Sequence, residues 1–244
     1  MGGNAYKTAT EEFSNFAEPN TFENIGETFY NTTEKKFKFT GSVLTSSWST
    51  GGSLNTQRTS GGSSDAGLVT AAVQFGGRLG PPGLTNATEE YDGTSWTASG
   101  NMGTARYLHA GFGIQTAAVA AGGYTSSDVA TTEEYDGSSW TSATNLPSAR
   151  RYPNGAGTLT AGLAIGGISG GSYPGLNNTE EYDGTNWSSG GNFPQTVVGP
   201  GATGSQTAAL AGGGVTGSGS NTKVAANYNG SSWTTTPNMN DNHY

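Results

Sequence analysis

Apolar positions in this chain come in short bursts that return on a nearly fixed interval. Residues 70–77 read Thr-Ala-Ala-Val-Gln-Phe-Gly-Gly and residues 116–123 read Thr-Ala-Ala-Val-Ala-Ala-Gly-Gly. Residues 160–167 and 207–214 repeat the theme as Thr-Ala-Gly-Leu-Ala-Ile-Gly-Gly and Thr-Ala-Ala-Leu-Ala-Gly-Gly-Gly. Each burst has the length of a strand and stops at a glycine pair, Gly76–Gly77, Gly122–Gly123, Gly166–Gly167 and Gly213–Gly214. That pattern predicts a short buried strand closed by a tight turn. A loop of varying length follows, and then a polar run. Residues 89–96 read Glu-Glu-Tyr-Asp-Gly-Thr-Ser-Trp, with close copies at 133–140 and 180–187 and a weaker one at 228–233. Asp-Gly or Asn-Gly between two strand-like runs is a hairpin signal, because both turn positions favour positive φ.

All five tryptophans, Trp48, Trp96, Trp140, Trp187 and Trp233, belong to this feature, at spacings of 48, 44, 47 and 46 residues. Periods in that range mark arrays of small β units. Each unit offers about four strands: one after the Arg position described below, one before Gly-Gly, one carrying Tyr91, Tyr135, Tyr182 or Tyr228, and one carrying Trp. A four-stranded sheet repeated around an axis is a propeller blade. Alanine and glycine suit an inner strand where neighbours converge, and the tyrosines and tryptophans suit the wedge between blades.

Ten residues after each of the first four tryptophans comes Arg58, Arg106, Arg150 and then Val197. Two residues before each tyrosine comes Glu89, Glu133, Glu180 and then Ala226. Both charges vanish together in the fourth unit. A buried cation without its carboxylate is strongly destabilising, whereas replacing both partners by apolar groups is tolerated. The covariation predicts three structural ion pairs: Arg58 with Glu89, Arg106 with Glu133, and Arg150 with Glu180.

The beginning of the chain differs. Residues 1–27 stand outside the period and read as an extended docking arm. Residues 28–39 alternate Phe37 and Phe39 with Lys36 and Lys38, which predicts a strand with one buried face and a β-hairpin leading to Trp48. Residues 28–238 are expected to form the repeat domain and 239–244 a tail. The expected fold is all-β, with four complete four-stranded blades and an N-terminal hairpin contributing to a fifth.

Composition narrows the function classes. Glycine is 41 of 244 residues and hydrophobic residues are 32 %, a mixture that would suggest disorder were it not periodic. Ten Lys and Arg against 18 Asp and Glu leave no nucleic-acid footprint. No apolar run approaches 18 residues, so no membrane insertion is expected. Cysteine is absent, which removes disulfides and thiolate metal sites. The start of the sequence has neither a signal-peptide pattern nor a myristoylation motif.

The apolar run, Gly-Gly, Glu, Tyr and Trp succession over residues 48–233 resembles the kelch repeat, as does residues 145–150, Asn-Leu-Pro-Ser-Ala-Arg. The interval from Tyr to Trp is shorter here than in that family. More specifically, the recurring Thr-Glu-Glu-Tyr-Asp-Gly-Thr-Ser-Trp run resembles the Gly/Thr/Asn-rich kelch-like proteins of marine bacteriophages. That resemblance implies a virion structural component. A position in a fibre, the tail or a capsid decoration is expected with it, with assembly in the host cytoplasm, a homo-oligomeric or multi-copy state, and the arm contacting other virion proteins.

Catalytic signals are poor. His109 and His243 are the only histidines, too few for a Ser-His-acid triad or a metal centre. Residues 92–96, Asp-Gly-Thr-Ser-Trp, lack one residue of the Asp-box turn of sialidases. The Glu-Glu-Tyr-Asp clusters offer carboxylates, but no Asp-x-Asp-x-Asp-Gly loop supports a Ca2+ site. Residues 212–220 are Gly-rich without the following Lys-Ser/Thr of a phosphate loop. The expectation is therefore no enzyme, no cofactor and no metal. Positions that repeat are scaffold, and recognition is expected where units differ, in the loops after Gly-Gly. Tyr124 and Tyr173 are the expected glycan contacts there. A carbohydrate-binding adhesin at a viral or cell surface is the second reading, through host surface glycans.

Overall fold

The computed structural model describes residues 51–64, 67–80, 83–170 and 175–240, and the backbone of Thr28–Asn31 and Lys36–Phe39. The arm at 1–27, Trp48, Tyr173 and His243 lie outside the described residues. The chain divides into two units between residues 50 and 51. In the first, Thr28–Asn31 pairs antiparallel with Lys36–Phe39, Tyr30 opposite Phe37.

The second unit contains four antiparallel four-stranded sheets, and no helix occurs among the described residues. In each sheet the strands lie side by side in chain order. The first sheet is Gly62–Ser63, Ala72–Phe75, Thr88–Tyr91 and Trp96–Ser99. The second is Ala110–Ile114, Ala117–Ala121, Thr132–Tyr135 and Trp140–Ala143. The third is Asn154–Thr158, Ala161–Ile165, Thr179–Tyr182 and Trp187–Ser189, and the fourth Gly201–Ser205, Ala208–Gly212, Ala225–Tyr228 and Trp233–Thr235. Two small ribbons, Arg78–Gly80 with Gly83–Leu84 and Val197–Val198 with Val215–Thr216, sit in the connections.

The core lies between sheets rather than within one. Val73, Phe75, Ala118, Ala120 and Tyr135 fill the space between the first and second sheets, with Met102 and Trp140. Phe112, Val119, Ala121, Ala164, Tyr182 and Leu146 fill the next space, and Leu163, Ile165, Ala209, Ala211, Tyr228 and Phe193 the third. The alternation along the second strands explains this. Ala118 and Ala120 face the preceding sheet, while Val119 and Ala121 face the following one. Small residues on one face accept the larger ones of the neighbour, as dense packing requires.

The first strands of successive sheets run beside one another. A Cβ on Gly111 would meet the Ser63 backbone at 2.7 Å, and one on Gly155 would meet the Gly111 carbonyl at 2.8 Å. Next to these strands runs a ladder twelve residues after each tryptophan. Leu108 N–H donates to the Ser60 carbonyl at 2.9 Å, Tyr152 N–H to Leu108 at 2.8 Å, and Gly199 N–H to Tyr152 at 3.0 Å. Ser60, Leu108 and Tyr152 all hold positive φ, at 54°, 58° and 57°. A non-glycine residue pays about 1–3 kcal/mol for such a conformation. Only the fourth unit places glycine there, with Gly199 at 59°. On the fourth sheet's outer face Leu210 is 46 % exposed, and Thr203 and Asn227 are exposed beside it.

The Asp-Gly hairpins differ from the sequence expectation. Tyr91 pairs directly with Trp96, so residues 92–95 form a four-residue loop rather than a two-residue turn. Gly93 has φ 94°, whereas Asp92 is not among the positive-φ residues. The aspartate acts through its side chain instead: Oδ1 accepts the N–H groups of Thr94 and Ser95, each at 2.8 Å. Asp136 and Asp183 do the same in the next two sheets, and Asn229 in the fourth. These bonds stabilise the ionised form, so Asp136 is pulled down to about 2, led by the Ser139 N–H.

Candidate functional site

The three expected ion pairs form the buried spine of their units. Arg58 Nη2 lies 2.5 Å from Glu89 Oε1, Arg106 Nη1 lies 2.5 Å from Glu133 Oε1, and Arg150 Nη2 lies 3.1 Å from Glu180 Oε1. Every one of these side chains is at least 97 % buried. The carboxylates also cap backbone, for Glu89 accepts Asn55 N–H and Glu133 accepts Gly103 N–H, both at 2.6 Å. Burial pulls the pKa of Arg106 and Arg150 down, and Glu133 and Glu180 oppose that shift. In the fourth unit Val197 and Ala226, both fully buried, stand in the same places.

The glycine pairs dock onto the same arginines through the backbone. Gly123 N–H donates to the Arg150 carbonyl at 2.8 Å, and a Cβ on Gly122 would meet that oxygen at 2.8 Å. Gly122 and Gly123 hold φ 70° and 111°, so both the space and the backbone exclude a larger residue. Gly76–Gly77 and Gly166–Gly167 repeat the arrangement on Arg106 and Val197. Gly213 and Gly214 keep the positive φ.

Each tyrosine reaches back to the preceding sheet. The hydroxyls of Tyr135, Tyr182 and Tyr228 donate to Glu90, Glu134 and Glu181, each at 2.5 Å. Burial and the neighbouring carboxylate push the Tyr135 and Tyr228 hydroxyls up to about 12. Each tryptophan makes a parallel contact: Nε1 of Trp140, Trp187 and Trp233 donates to Oγ1 of Thr88, Thr132 and Thr179 at 2.8, 3.1 and 2.8 Å. Within each sheet the two rings pack with their planes tilted by 32–38° and centroids 4.7–5.1 Å apart. In the first sheet Trp96 Nε1 donates to the Gly52 carbonyl, and Tyr91 is half-buried. Sequence reasoning missed Glu90, Glu134, Glu181 and the three threonines. The signal was present, since Thr-Glu-Glu-Tyr recurs intact in three units and becomes Ala225-Ala226-Asn227-Tyr228 in the fourth.

His109 is buried with both ring nitrogens unpartnered, stacked on Phe75 with centroids 5.5 Å apart. Burial, reinforced by the charge of Arg106, pulls its pKa down to about 3. Among the described residues no acid or nucleophile hydrogen-bonds it. It is a core group.

The non-repeating residues gather elsewhere. The residue after each Arg position and the residue after each Gly-Gly lie opposite one another, as Thr59 with Arg78, Tyr107 with Tyr124, and Arg151 with Ile168. Four of these six side chains form a row. Arg78 lies over the Tyr107 ring at 5.8 Å, Tyr107 meets Tyr124 edge-on at 5.7 Å, and Arg151 lies over Tyr124 at 5.0 Å. The row ends in a pocket of about 440 Å³ lined by Tyr124, Ser127, Asp128, Ala149, Arg151, Ser169 and Gly170. Asp128 ties it together. One carboxylate oxygen lies 2.9 Å from Arg151 Nη1, and the other accepts Gly170 N–H at 2.8 Å. Tyr124, an expected glycan contact, lines this pocket with the Arg151 guanidinium over its ring. Comparison of the chain with protein-family models and with curated proteins finds no match.

Proposed function

We propose that this chain is a non-enzymatic structural protein of a bacteriophage particle, a kelch-like β-propeller displayed outward from a fibre, the tail or the capsid. The observation that carries the reading is how the repeated side chains are used. The Arg–Glu pairs, the tyrosine hydroxyls and the indole N–H groups are consumed in fixing strand to strand and sheet to sheet. What remains free to vary is confined to loops on a rigid frame, the division of labour of a display scaffold. Consecutive four-stranded sheets whose first strands run side by side suit blades around an axis. The virion assignment rests on the resemblance of the Thr-Glu-Glu-Tyr-Asp-Gly-Thr-Ser-Trp runs to phage kelch-like proteins. In this reading residues 1–27 dock onto other virion proteins, many copies are present per particle, and assembly takes place in the host cytoplasm. Mass spectrometry of purified particles tests it. The chain is expected in stoichiometric amounts, and deletion of residues 1–27 is expected to abolish incorporation while residues 51–240 still fold. Absence of the chain from particles contradicts it.

One observation favours a second reading, a carbohydrate-binding adhesin. The pocket at Tyr124, Asp128 and Arg151 is built from residues with no equivalents in the other units, where selection for a ligand would act.

A further inference from the structure

The Arg151 pocket has a polar inventory that its own contacts do not exhaust. The Arg151 side chain is only 20 % exposed, yet among the described residues only its Nη1 has a partner, Asp128. The Arg151 guanidinium carbon lies over the Tyr124 ring, 5.0 Å from its centroid. Asp128 is only 8 % exposed, and its second oxygen is held by Gly170 N–H, so the carboxylate cannot swing to cover the rest of the fork. Nε and Nη2 are left without partners among the described residues. The same pocket is lined by three hydroxyl-bearing residues, Tyr124, Ser127 and Ser169.

We propose that this pocket binds a carboxylate-bearing sugar, a uronic or nonulosonic acid residue of a surface glycan, through the free edge of Arg151. The proposal rests on the adhesin reading and names its ligand class. A guanidinium fork fixed by an ion pair on one side and a ring on its face matches a carboxylate in two-point geometry. Three hydroxyl-bearing residues lining the same cavity suit the hydroxyls of a pyranose. A volume of about 440 Å³ accommodates one monosaccharide unit. The recognition residues do not repeat: Thr59, Tyr107 and Val198 stand where Arg151 does, and Arg78, Ile168 and Val215 where Tyr124 does. The combination of Arg151 with Tyr124 therefore occurs once among these equivalent positions, separate from the buried Arg150 beside it.

The test is titration of the whole chain with glucuronate, N-acetylneuraminate, glucose and inorganic phosphate at constant ionic strength, followed by calorimetry or NMR, alongside a glycan array. The expected result is saturable binding of at least one acidic sugar, at least tenfold tighter than glucose or phosphate. Arg151→Lys keeps the charge and loses the fork, and is expected to weaken that binding at least tenfold with an unchanged melting temperature. Ser169→Ala, on the rim and outside the core, is expected to weaken it by a smaller factor. Equal affinity for phosphate and glucuronate overturns the sugar assignment, as does an acidic-sugar affinity that Arg151→Lys leaves unchanged. Array signals from neutral glycans alone overturn the carboxylate assignment but keep the adhesin reading. Silence from every sugar and every array spot overturns both.

Discussion

The hydroxyl of Tyr135 donates to the carboxylate of Glu90 across 2.5 Å, joining the third strand of one sheet to the third strand of the sheet before it. The link recurs from Tyr182 to Glu134 and from Tyr228 to Glu181, while the indole N–H groups supply a second link one strand further out. Sheet-to-sheet geometry is thus fixed by directional bonds as well as by the apolar layers. Tyr135→Phe keeps the ring packing and removes only the donor. A hydrogen bond to a charged acceptor contributes about 1.5–3 kcal/mol, and Glu90, half-buried, recovers part of that from water. Denaturant unfolding of Tyr135→Phe is expected to show a loss of about 1–2 kcal/mol, and Glu90→Gln added to it is expected to cost little more.

The ion pair of Arg106 and Glu133 is buried on both sides. Arg106→Met leaves the buried Glu133 carboxyl without its partner and is expected to cost about 3–5 kcal/mol. Arg106→Val with Glu133→Ala copies the Val197 and Ala226 arrangement that the fourth unit already tolerates. A double-mutant cycle by denaturant unfolding is expected to give a coupling above about 2 kcal/mol. A coupling near zero would remove the explanation for the paired loss.

His109 makes the fold sensitive to acid. Its folded pKa is pulled down to about 3, against about 6.5 for an unfolded chain. Above pH 6.5 it is neutral in both states and contributes no pH dependence. Below that the unfolded chain takes up a proton that the folded chain refuses, so stability falls as pH drops from 6.5 towards 3. The limiting slope is about 1.4 kcal/mol per pH unit. Melting curves at pH 7, 6, 5 and 4 are expected to converge towards a smaller pH dependence in His109→Leu than in the wild type.

Leu108 carries its left-handed backbone in a ladder whose fourth member is Gly199. Leu108→Gly relieves the strain but frees the unfolded chain, and is expected to change stability by less than about 1 kcal/mol. Leu108→Val, with branching at Cβ, is expected to lose about 1–3 kcal/mol despite its smaller change in volume. Equal losses in the two variants would show that side-chain packing, and not backbone strain, governs the position.

Period and pattern made the sheets legible. The Gly-Gly bursts locate the second strands, the tyrosines the third and the tryptophans the fourth, and the joint loss at Val197 and Ala226 marks the ion pairs in the sequence itself. Three things were harder to read. The Asp-Gly hairpin looked like a two-residue turn, but the aspartate side chain supplied a cap that allowed a four-residue loop, chemistry invisible to dipeptide propensity. The Glu90 type of contact was overlooked because the first Glu of each pair explained the repeat, and a link between sheets leaves no mark within one period except its absence at Asn227. The Arg151 pocket was illegible for a different reason. Tyr124, Asp128 and Arg151 come from two units and occur once, so no repetition marks them and only the fold brings them together.

The claim on which the display reading depends is that the four sheets are blades of a wheel. A crystallographic or electron-microscopy map of the whole chain tests it most directly, by tracing Gly62–Ser63, Ala110–Ile114, Asn154–Thr158 and Gly201–Ser205. The proposed propeller predicts that these strands surround a single axis, with Ser60, Leu108, Tyr152 and Gly199 on a common arc. Strands advancing along a straight line, each sheet stacked on the last without rotation, would contradict it.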